Sequence, residues 1–298
     1  MKILLFGKNG QVGWELQRAL APLGEVIALD RHSGEGLCGD LSNLAGIAGT
    51  ISQLKPDVIV NAAAHTAVDK AESEPDLARA INALASEVMA QQALACGAWL
   101  IHYSTDYVFD GSGEKPWQES DATGPLGVYG ATKLEGEQLI QQSGCKYVIL
   151  RTSWVYAAKG NNFAKTMLRL AQERDSLKVI DDQIGAPTGA ELIADVTAHI
   201  IRTAQQKPAV AGVYHLVAAG ETSWFGFARL VLEEASERGK LLKVMPDAIE
   251  PIPTSAYPTP AKRPHNSRLN ISKLEETFNL TMPSWQTGVQ RMLAEILA

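Results

Sequence analysis

A tyrosine and a lysine stand four positions apart at the start of a predicted helix, as Tyr129 and Lys133. Residues at i and i+4 share one face of a helix, so the two side chains are neighbours. A free tyrosine has a pKa of about 10, and a nearby ammonium group stabilises the phenolate and lowers that pKa. The pair predicts a hydroxyl that exchanges a proton at neutral pH, although a chance pair on an amphipathic helix has the same spacing.

A hydroxyl and a carboxyl group follow the predicted strand 99–103 at its carboxyl end, in Ser104, Thr105 and Asp106. Open α/β sheets bind their ligands at the carboxyl ends of their strands. The Thr105 hydroxyl is therefore a candidate hydrogen-bond donor to the substrate oxygen that Tyr129 protonates. A turn in which Thr105 only caps the next segment is the alternative interpretation.

Three glycines, Gly7, Gly10 and Gly13, lie between the first predicted strand and the first predicted helix. In such a turn the first glycine permits a tight bend, the second lets the backbone approach a pyrophosphate, and the third lets helix and sheet pack closely. The helix N-terminus offers free N–H groups and a partial positive charge to phosphates. The pattern predicts a dinucleotide site, and a turn that only joins strand to helix is the alternative.

An acidic residue, Asp30, ends the second predicted strand, 30 − 7 = 23 residues beyond Gly7. This is the position at which a carboxylate accepts hydrogen bonds from an adenosine ribose. A carboxylate repels a 2′-phosphate, which favours NAD as the cofactor. Arg31 and His32 follow directly and can compensate, so NADP stays open.

Small residues follow another predicted strand, at Ala62, Ala63 and Ala64, between Asn61 and His65. They leave room for a flat ring to lie against the backbone. Ordinary close packing of strand and helix is the alternative.

Short apolar runs alternate with longer helical patterns through the first half of the chain. Strands are predicted at 2–6, 26–29, 58–61, 99–103 and 148–152, and helices at 12–23, 44–54, 76–96 and 129–142. Continuous apolar strands separated by helices indicate a parallel sheet that is covered on both faces. The predicted fold class is α/β, a Rossmann-type doubly wound parallel sheet with a smaller C-terminal substrate-binding lobe.

Beyond residue 155 the alternation weakens. Helices are predicted at 162–173, 190–205, 223–239 and 286–297, and one strand at 212–216. The proline-rich segment 246–264 is predicted to be an ordered or gating loop, because proline excludes a continuous helix or a central strand. The predicted division is a dinucleotide-binding domain over 1–155, to which some later segments return, and mainly a substrate-binding lobe over 156–298.

Composition excludes several classes of protein. The 298 residues hold 27 Lys and Arg against 33 Asp and Glu, a net charge of −6, which argues against binding to nucleic acid or to an anionic membrane surface. No apolar stretch reaches the length of a membrane span, and the first residues do not read as a signal peptide. Three widely spaced cysteines, Cys38, Cys96 and Cys145, predict reduced thiols in a cytoplasmic protein and not a disulfide scaffold.

The residues that suggest chemistry also carry a family resemblance. In order, they are Gly7, Gly10, Gly13, Asp30, Thr105, Tyr129 and Lys133. In this order the chain resembles the extended short-chain dehydrogenase/reductase family. Longer strings at 61–69, 104–111, 151–156, 185–188 and 263–267 resemble its subgroup of dTDP-4-dehydrorhamnose reductases, over essentially the whole chain.

This resemblance implies a reductase that transfers a hydride from NADH or NADPH to the C4 ketone of dTDP-4-dehydro-β-L-rhamnose. That reaction is the last step of dTDP-L-rhamnose formation, which serves lipopolysaccharide and O-antigen biosynthesis. Tyr129 would donate the proton, Lys133 would tune Tyr129 and bind the cofactor ribose, and Thr105 would polarise the carbonyl. Many relatives have serine at position 105, and threonine supplies the same hydroxyl.

The resemblance also implies a set of binding residues. Cofactor contacts are expected from Gly7, Asn9, Gly10, Gln11, Val12, Gly13, Asp30, Asp40, Leu41, Ala62, Ala63, Ala64, Tyr129 and Lys133. Substrate contacts are expected from Thr105, Asp106, Trp154, Asn161, Asn162 and Arg263. A core tryptophan, a helix N-cap for the asparagine pair and a solvent-exposed arginine are the alternatives for the last four.

A homodimer with interfacial Mg²⁺ is a further implication of the resemblance, with Glu15, Glu191 and Glu295 as its metal ligands. Isolated helix glutamates are usually only solvated, which is the alternative.

Two other functions fit parts of the pattern. One is a nucleotide-sugar epimerase or dehydratase that recycles bound NAD, although Tyr107, where a dehydratase has a glutamate after Asp106, argues against dehydration. The other is a non-catalytic binding subunit, similar to the regulatory subunit of methionine adenosyltransferase. The intact set of Thr105, Tyr129 and Lys133 argues against that role.

Overall fold

The computed structural model describes residues 1–32, 34 and 36–298. Its strands are β1 (Lys2–Phe6), β2 (Glu25–Leu29), β3 (Val58–Asn61), β4 (Trp99–Thr105), β5 (Lys146–Thr152), β6 (Val155–Tyr156), β7 (Leu177–Ile180), β8 (Ile184–Gly185), β9 (Thr188–Gly189), β10 (Gly212–His215), β11 (Thr222–Ser223) and β12 (Ile249–Ile252).

The helices between these strands cover most of the remaining chain. They are α1 (Gln11–Leu20), α2 (Leu44–Leu54), α3 (Val68–Ala71), α4 (Pro75–Arg79), α5 (Ala85–Cys96), α6 (Val128–Gln142), α7 (Phe163–Glu173), α8 (Ala190–Gln206), α9 (Trp224–Glu237), α10 (Ser272–Phe278) and α11 (Trp285–Ile296). Short 3₁₀ turns and one π-helical turn lie between them. No helix of the described residues is long and apolar enough to cross a membrane.

The main sheet has six parallel strands in the order β2-β1-β3-β4-β5-β10. The chain leaves β1 toward β2 on one side and continues through β3 on the other, so the strand order reverses between β1 and β3. Ligands of open α/β sheets bind at such a reversal, beyond the carboxyl ends of the strands. The predicted doubly wound α/β fold is confirmed.

Both faces of the sheet are buried, as the apolar strands predict. Along β1, Ile3 and Leu5 belong to the core under α1 and α8, whereas Leu4 and Phe6 belong to the core under α2 and α5. All four side chains are fully buried. Alternate residues of one strand therefore bind the two helical layers to the same sheet.

One predicted helix, 76–96, is interrupted by a π-helical turn over Ala80–Leu84. Asn82 lies in this turn and is 1% exposed. Its side-chain oxygen accepts a hydrogen bond from the His65 amide at 2.8 Å, and its amide donates to the Thr132 hydroxyl at 3.1 Å. The turn therefore ties the segment after β3 to α6, the helix that carries Tyr129 and Lys133. Such turns inside helices often mark functional sites.

A second layer is formed by the C-terminal half. Helices α7, α9 and α11 share an apolar core, and β7 pairs with β12 in a separate two-stranded sheet. The proline-rich segment 246–264 thus contains the strand Ile249–Ile252, and its interpretation as loop throughout was wrong. Pro251 is tolerated there because β12 pairs along one side only.

Part of the C-terminal half joins the first layer. Strand β10 adds to β5 at the edge of the main sheet, and α8 packs against α1. Helix α10, which had not been predicted, lies against β10 and α8. The division of the chain at residue 155 therefore does not coincide with a division of the main sheet.

Candidate active site

A cavity of about 930 Å³ opens at the carboxyl ends of the main-sheet strands. Most of the expected site residues line it. They are Gly7, Asn9, Gly10, Gln11, Val12, Asp30, Asp40, Leu41, Ala62, Ala63, Ala64, Thr105, Asp106, Tyr129, Lys133 and Trp154. Residues from distant parts of the chain thus meet in one cleft, at the position where the reversal of strand order predicts a ligand site.

The glycine turn at one end of the cleft has no room for side chains at its first and third glycines. Gly7 has a φ of +90°, and a Cβ atom there would lie 2.8 Å from the backbone of Ala62 and Ala63. A Cβ atom on Gly13 would collide with the Gly7 carbonyl oxygen, so Gly13 serves helix packing behind the cleft. Helix α1 begins at Gln11 without a side-chain cap. The first N–H groups of α1 therefore have no side-chain cap, and the turn and helix start together fit a pyrophosphate.

Replacing Gly13 by alanine is expected to disrupt this turn. The added methyl group collides with backbone, which cannot yield as a flexible side chain does. We expect cofactor affinity, measured by fluorescence titration with NADPH, to fall by at least about tenfold. Gly49→Ala in α2 is the matched control, because a Cβ atom there meets nothing within 4 Å. Equal affinities of the two variants would contradict the packing role of Gly13.

The carboxylate at the end of β2 is held by several donors. Asp30 accepts hydrogen bonds from the His32 amide at 2.8 Å and the Asn9 side chain at 2.8 Å, and it pairs with Lys8 at 3.4 Å. The His32 amide and the nearby Lys8 charge hold the pKa of Asp30 below its usual value. Arg31 pairs with Asp40 at 3.4 Å on the same side of the cleft. Anionic and cationic groups therefore both stand where an adenosine ribose would lie.

Tyr129 lies in the cleft beside Thr105 and Tyr107. The ring of Tyr107 packs edge-on against it, with centroids 5.4 Å apart. Burial raises the pKa of Tyr129 to about 12, a hydrogen bond with Thr105 opposes this rise, and the Asp106 charge adds to it. The expected lowering of its pKa by Lys133 is not present in this structure, because burial outweighs every other influence. Tyr129 consequently keeps its proton at neutral pH.

Lys133 is buried under the cleft and is 2% exposed. Its Nζ atom donates to the Tyr103 carbonyl oxygen at 2.5 Å and lies 3.1 Å from Nε2 of His102. Burial lowers the pKa of Lys133 to about 8, against the opposing charge of Glu137 one turn later. Tyr129 and Lys133 both line the cleft from α6, as expected for one helical face. The Lys133 amine, however, contacts β4 and makes no described hydrogen bond with Tyr129.

Asp106 is 2% exposed beside Thr105. The Thr105 hydroxyl donates to its Oδ1 atom at 3.1 Å and also accepts the Tyr107 amide at 3.2 Å. Thr105 therefore caps the turn that follows it, as the alternative interpretation has it, and also lines the cleft. Burial raises the pKa of Asp106 to about 6, although hydrogen bonds from Ser267 and Thr105 oppose the rise.

Two tryptophans form one wall of the cleft. Trp154 has a φ of +49°, which is rare for a bulky side chain, and its ring stacks on Trp224 at 3.7 Å between centroids. The Trp224 indole N–H donates to Gln183 at 3.1 Å. Trp154 therefore lines the cleft and also packs against the core that α7, α9 and α11 share, so both interpretations hold in part. Trp224 had not been predicted, because it begins α9, far along the chain, and carries no motif.

Three expected substrate residues do not line the cleft. Asn162 caps α7 through the Lys165 amide at 3.2 Å and donates to the Gln11 side chain at 3.1 Å. Asn161 is exposed, and Arg263 pairs with Asp69 at 2.9 Å. The helix-cap interpretation is correct for Asn162, which supports the glycine turn from behind. Arg263 does not line the cavity itself, but it hydrogen-bonds the cleft residue Tyr107 as well as Asp69.

The three glutamates expected to bind metal line a second cavity of about 540 Å³. Within it Glu15 pairs with Arg18 at 3.4 Å and Glu191 with Arg291 at 2.7 Å. Among the described residues no group of three or more acidic, histidine or cysteine side chains has the arrangement of a metal site. Glu15, Glu191 and Glu295 thus share a cavity, but two of them are paired with arginines.

A doubly wound sheet with an uncapped glycine turn, and a Tyr–Lys pair at the same cleft, defines the class of nicotinamide-dependent oxidoreductases with a Rossmann-type fold. Residues 1–298 match the family model described as RmlD substrate binding domain, and the chain belongs to this family of dTDP-4-dehydrorhamnose reductases.

Relatives and solved structures agree with this assignment. The chain is 63% identical over 296 residues to the dTDP-4-dehydrorhamnose reductase of Escherichia coli strain K12, covering 99% of this chain and 98% of that protein. A dTDP-4-dehydrorhamnose reductase from Clostridium acetobutylicum superimposes with a TM-score of 0.89 at 36% identity, covering 100% of both chains. That from Bacillus anthracis, solved in complex with NADP, gives 0.87 at 35% identity over 99% of each chain.

Proposed function

We propose that this chain reduces the C4 ketone of dTDP-4-dehydro-β-L-rhamnose to dTDP-L-rhamnose with NADH or NADPH. The observation that carries the proposal is the convergence of Thr105, Tyr129 and Lys133 on the cleft that holds the glycine turn. The names of the relatives support the substrate. As an enzyme of this family, the chain is expected to work in the cytoplasm and to supply rhamnose for O-antigen synthesis.

The cleft fits a nicotinamide dinucleotide. Gly7 lets the turn pass close to the backbone of Ala62 and Ala63, where a Cβ atom would clash, and the start of α1 offers N–H groups to a pyrophosphate. A bound nicotinamide would supply the hydride. Asp30 would hold its adenosine end and Lys133 its nicotinamide ribose, and the small residues Ala62 to Ala64 line the same cleft. The NADP complex of the Bacillus anthracis relative supports this fit.

Proton donation falls to Tyr129. Because its pKa is raised to about 12, its hydroxyl is protonated at neutral pH and can donate to an oxygen that gains negative charge. Thr105, within hydrogen-bond reach of Tyr129, would offer a second donor to the same oxygen once its hydroxyl turns away from Asp106 Oδ1. Two donors held by the protein beside the reacting oxygen stabilise a developing alkoxide more than mobile water molecules would.

The substrate is proposed to lie between the Tyr129 edge and the tryptophan wall. Trp154 and Trp224 offer a flat apolar surface for the sugar, and Asp106 offers a hydrogen-bond acceptor beside Thr105. Asn161 and Arg263 remain proposed contacts for the nucleotide only through the family resemblance. The residues 156–298 are proposed to form mainly the substrate-binding lobe, with β10 and α8 returning to the domain of residues 1–155.

Both cofactors are expected to work, because Asp30 suits a ribose diol while Lys8 and Arg31 suit a 2′-phosphate. Asp30→Ala is expected to lower kcat/KM with NADH on the order of tenfold and to leave kcat/KM with NADPH nearly unchanged. Only the ribose diol of NADH would lose its hydrogen-bond acceptor. The measurement is the ratio of the two kcat/KM values. Asp175→Ala, an exposed site outside the cleft, is the control. An equal loss with both cofactors would contradict this role for Asp30.

A homodimer with Mg²⁺ at its interface is also proposed. Glu15, Glu191 and Glu295 line one cavity, and carboxylates are ligands that Mg²⁺ prefers. Arg18 and Arg291 would have to release two of them. We expect a chelator to convert dimer to monomer in light scattering, and Glu191→Gln to weaken the dimer while Glu233→Gln on α9 does not. A mass that is indifferent to chelator would overturn the proposal.

The experiment that tests the function is a panel assay. NAD(P)H absorbance is followed with 4-keto-6-deoxy nucleotide sugars that carry different bases and with both cofactors. We expect stoichiometric oxidation of the cofactor, fastest with the dTDP-linked ketosugar. An epimerase would isomerise the sugar without net consumption of the cofactor, and a binding subunit would consume none, so either result would overturn the proposal.

A further inference from the structure

A chain of buried polar groups lies under the catalytic lysine and has no place in the mechanism so far. His102 on β4 is 1% exposed and Asn61 at the end of β3 is 2% exposed. The two ring nitrogens of His102 face two different partners: Nδ1 lies 3.2 Å from Nδ2 of Asn61, and Nε2 lies 3.1 Å from Nζ of Lys133. This row of polar side chains thus connects β3 through β4 to α6.

The orientation of the Asn61 amide is fixed by a further contact. Its Oδ1 atom accepts the Ala63 backbone N–H at 3.2 Å, which leaves the NH₂ group facing the imidazole. At the other end, Nζ of Lys133 donates to the Tyr103 carbonyl oxygen at 2.5 Å. Asn61, His102 and Lys133 therefore each have hydrogen-bond partners on two sides, which fixes their orientation.

Counting donors shows which protonation state fits. A neutral imidazole has one N–H donor and one acceptor nitrogen, and an ammonium group has donors only. If Lys133 is an ammonium group, it occupies the acceptor nitrogen of His102, and the N–H at Nδ1 then points at the NH₂ group of Asn61. Turning the Asn61 amide by 180° would bring its oxygen to His102 but would place its NH₂ group against the Ala63 N–H, so two donors would again face each other. A protonated imidazole would meet the same NH₂ group with a second donor.

One arrangement satisfies all groups. Asn61 donates to Nδ1, the N–H at Nε2 donates to the lone pair of a neutral Lys133 amine, and that amine donates to the Tyr103 carbonyl oxygen. Buried donors without acceptors are costly, so this arrangement is favoured over those with a donor conflict.

We propose that His102 is a positioning residue which, oriented by Asn61, holds Lys133 under the cleft as a neutral amine in the ligand-free protein. The inference rests on the proposed function, in which Lys133 would hold the cofactor ribose, so the amine must take up a proton from solvent before it acts there as an ammonium group. Anionic ligands entering the cleft favour that uptake. Burial lowers the pKa of Lys133 to about 8 and also lowers the pKa of His102. The donor conflict at His102 disfavours the ammonium form further, and this carries Lys133 to the neutral amine.

Other charged groups near Lys133 act in known directions. Glu137, one turn along α6, favours the ammonium form, but Arg151 on β5 pairs with it at 2.6 Å and shares its charge. Asp106 and Tyr129 line the same cavity as Lys133, and burial holds both toward their neutral forms. His102 is therefore the titratable group in direct contact with the amine.

The test uses one isosteric substitution and one that removes the imidazole. In Asn61→Asp a carboxylate accepts from Nδ1–H, so the tautomer of His102 inverts and Nε2 becomes an acceptor for the Lys133 ammonium group. In His102→Gln the side-chain oxygen accepts from the same ammonium group. Both variants are expected to raise the pKa of Lys133. His199→Gln on α8, where the ring contacts the Phe278 carbonyl oxygen, is the matched control.

The direct readout is ¹⁵N NMR of histidine-labelled, ligand-free protein. The signal of His102 is identified by its loss in His102→Gln. We expect the Nε2–H tautomer in the unaltered protein and the Nδ1–H tautomer in Asn61→Asp. An Nδ1–H tautomer or an imidazolium in the unaltered protein at neutral pH would overturn the inference, whether or not the protein turns over the ketosugar.

The second readout is the pH profile of kcat/KM, which reports groups of the free enzyme. As pH rises through the pKa of Lys133 the ammonium form is lost, so activity declines on the alkaline side. We expect this limb to move upward by at least about one pH unit in Asn61→Asp and His102→Gln, and not in the His199 variant. A purely structural role would lower activity without moving the limb and would overturn the inference. If the unaltered protein lacks turnover, the proposed function fails and the NMR result still decides this point.

Discussion

Tyr129→Phe is expected to lower kcat by at least about 10²- to 10⁴-fold while cofactor binding is retained. The substitution removes the only hydroxyl that the account assigns to proton donation and keeps the ring that packs against Tyr107. Burial holds the pKa of this hydroxyl at about 12, so the native group carries its proton throughout the neutral range. The measurements are steady-state kcat and NADPH affinity on the same preparation.

Tyr147→Phe on β5 is the matched control, because its side chain lies outside the cleft. We expect both rate and affinity of this control to equal those of the unaltered protein. A Tyr129→Phe protein that kept its turnover would contradict the assignment of the proton donor. A simultaneous loss of cofactor affinity would show that Tyr129 serves binding instead.

Glu137→Ala is expected to destabilise the fold by about 3–5 kcal/mol. Glu137 is fully buried, and Arg151 donates to both of its carboxylate oxygens at 2.6–3.2 Å. Removing the carboxylate leaves the Arg151 guanidinium group buried over the Phe109 ring without its counter-ion. The free energy of unfolding, from urea denaturation monitored by circular dichroism, measures the loss.

The same helix provides a control for this prediction. Glu135, two residues earlier, pairs with Arg79 at 2.6 Å, but both side chains are partly exposed to water. Exposed ion pairs contribute little, so Glu135→Ala is expected to leave the unfolding midpoint nearly unchanged. Equal effects of the two substitutions would mean that burial does not set the importance of the Glu137–Arg151 pair.

Most of the main sheet could be predicted because its strands are buried on both faces. Continuous apolar runs such as 2–6 and 58–61 mark such strands, and the observed β1 and β3 have the predicted bounds. By contrast, β7 and β12 pair at the edge of the second layer. Each is short and partly exposed, and β12 contains Pro251. Their pairing depends on the packing of α9 behind them, which local sequence does not encode.

Those cleft residues that belong to motifs of fixed spacing could be predicted from the sequence. Gly7 and Tyr129 belong to such motifs, and the structure brings both to the cavity. Trp224 and His102 could not be found in this way. Trp224 reaches the cleft through the packing of a helix that is distant in sequence. His102 lies inside the buried strand β4, and no motif marks its position. Its alignment with Lys133 arises only when β4 and α6 pack together.

The state of the ionisable groups was the least predictable property. Spacing alone predicts that Lys133 lowers the pKa of Tyr129, but burial of both groups dominates in the folded protein. The cost of removing a charge from water depends on every neighbour at once. It therefore follows from three-dimensional packing and not from the spacing of two residues.

The transfer of hydride to the sugar is the central claim, and an isotope experiment tests it directly. The protein is incubated with dTDP-4-dehydro-β-L-rhamnose and NADPH that carries deuterium at the transferable position of its nicotinamide ring. We expect dTDP-L-rhamnose with one deuterium bonded to C4, seen by mass spectrometry and NMR. Product without deuterium at C4, or a ketosugar recovered unchanged beside intact cofactor, would contradict it.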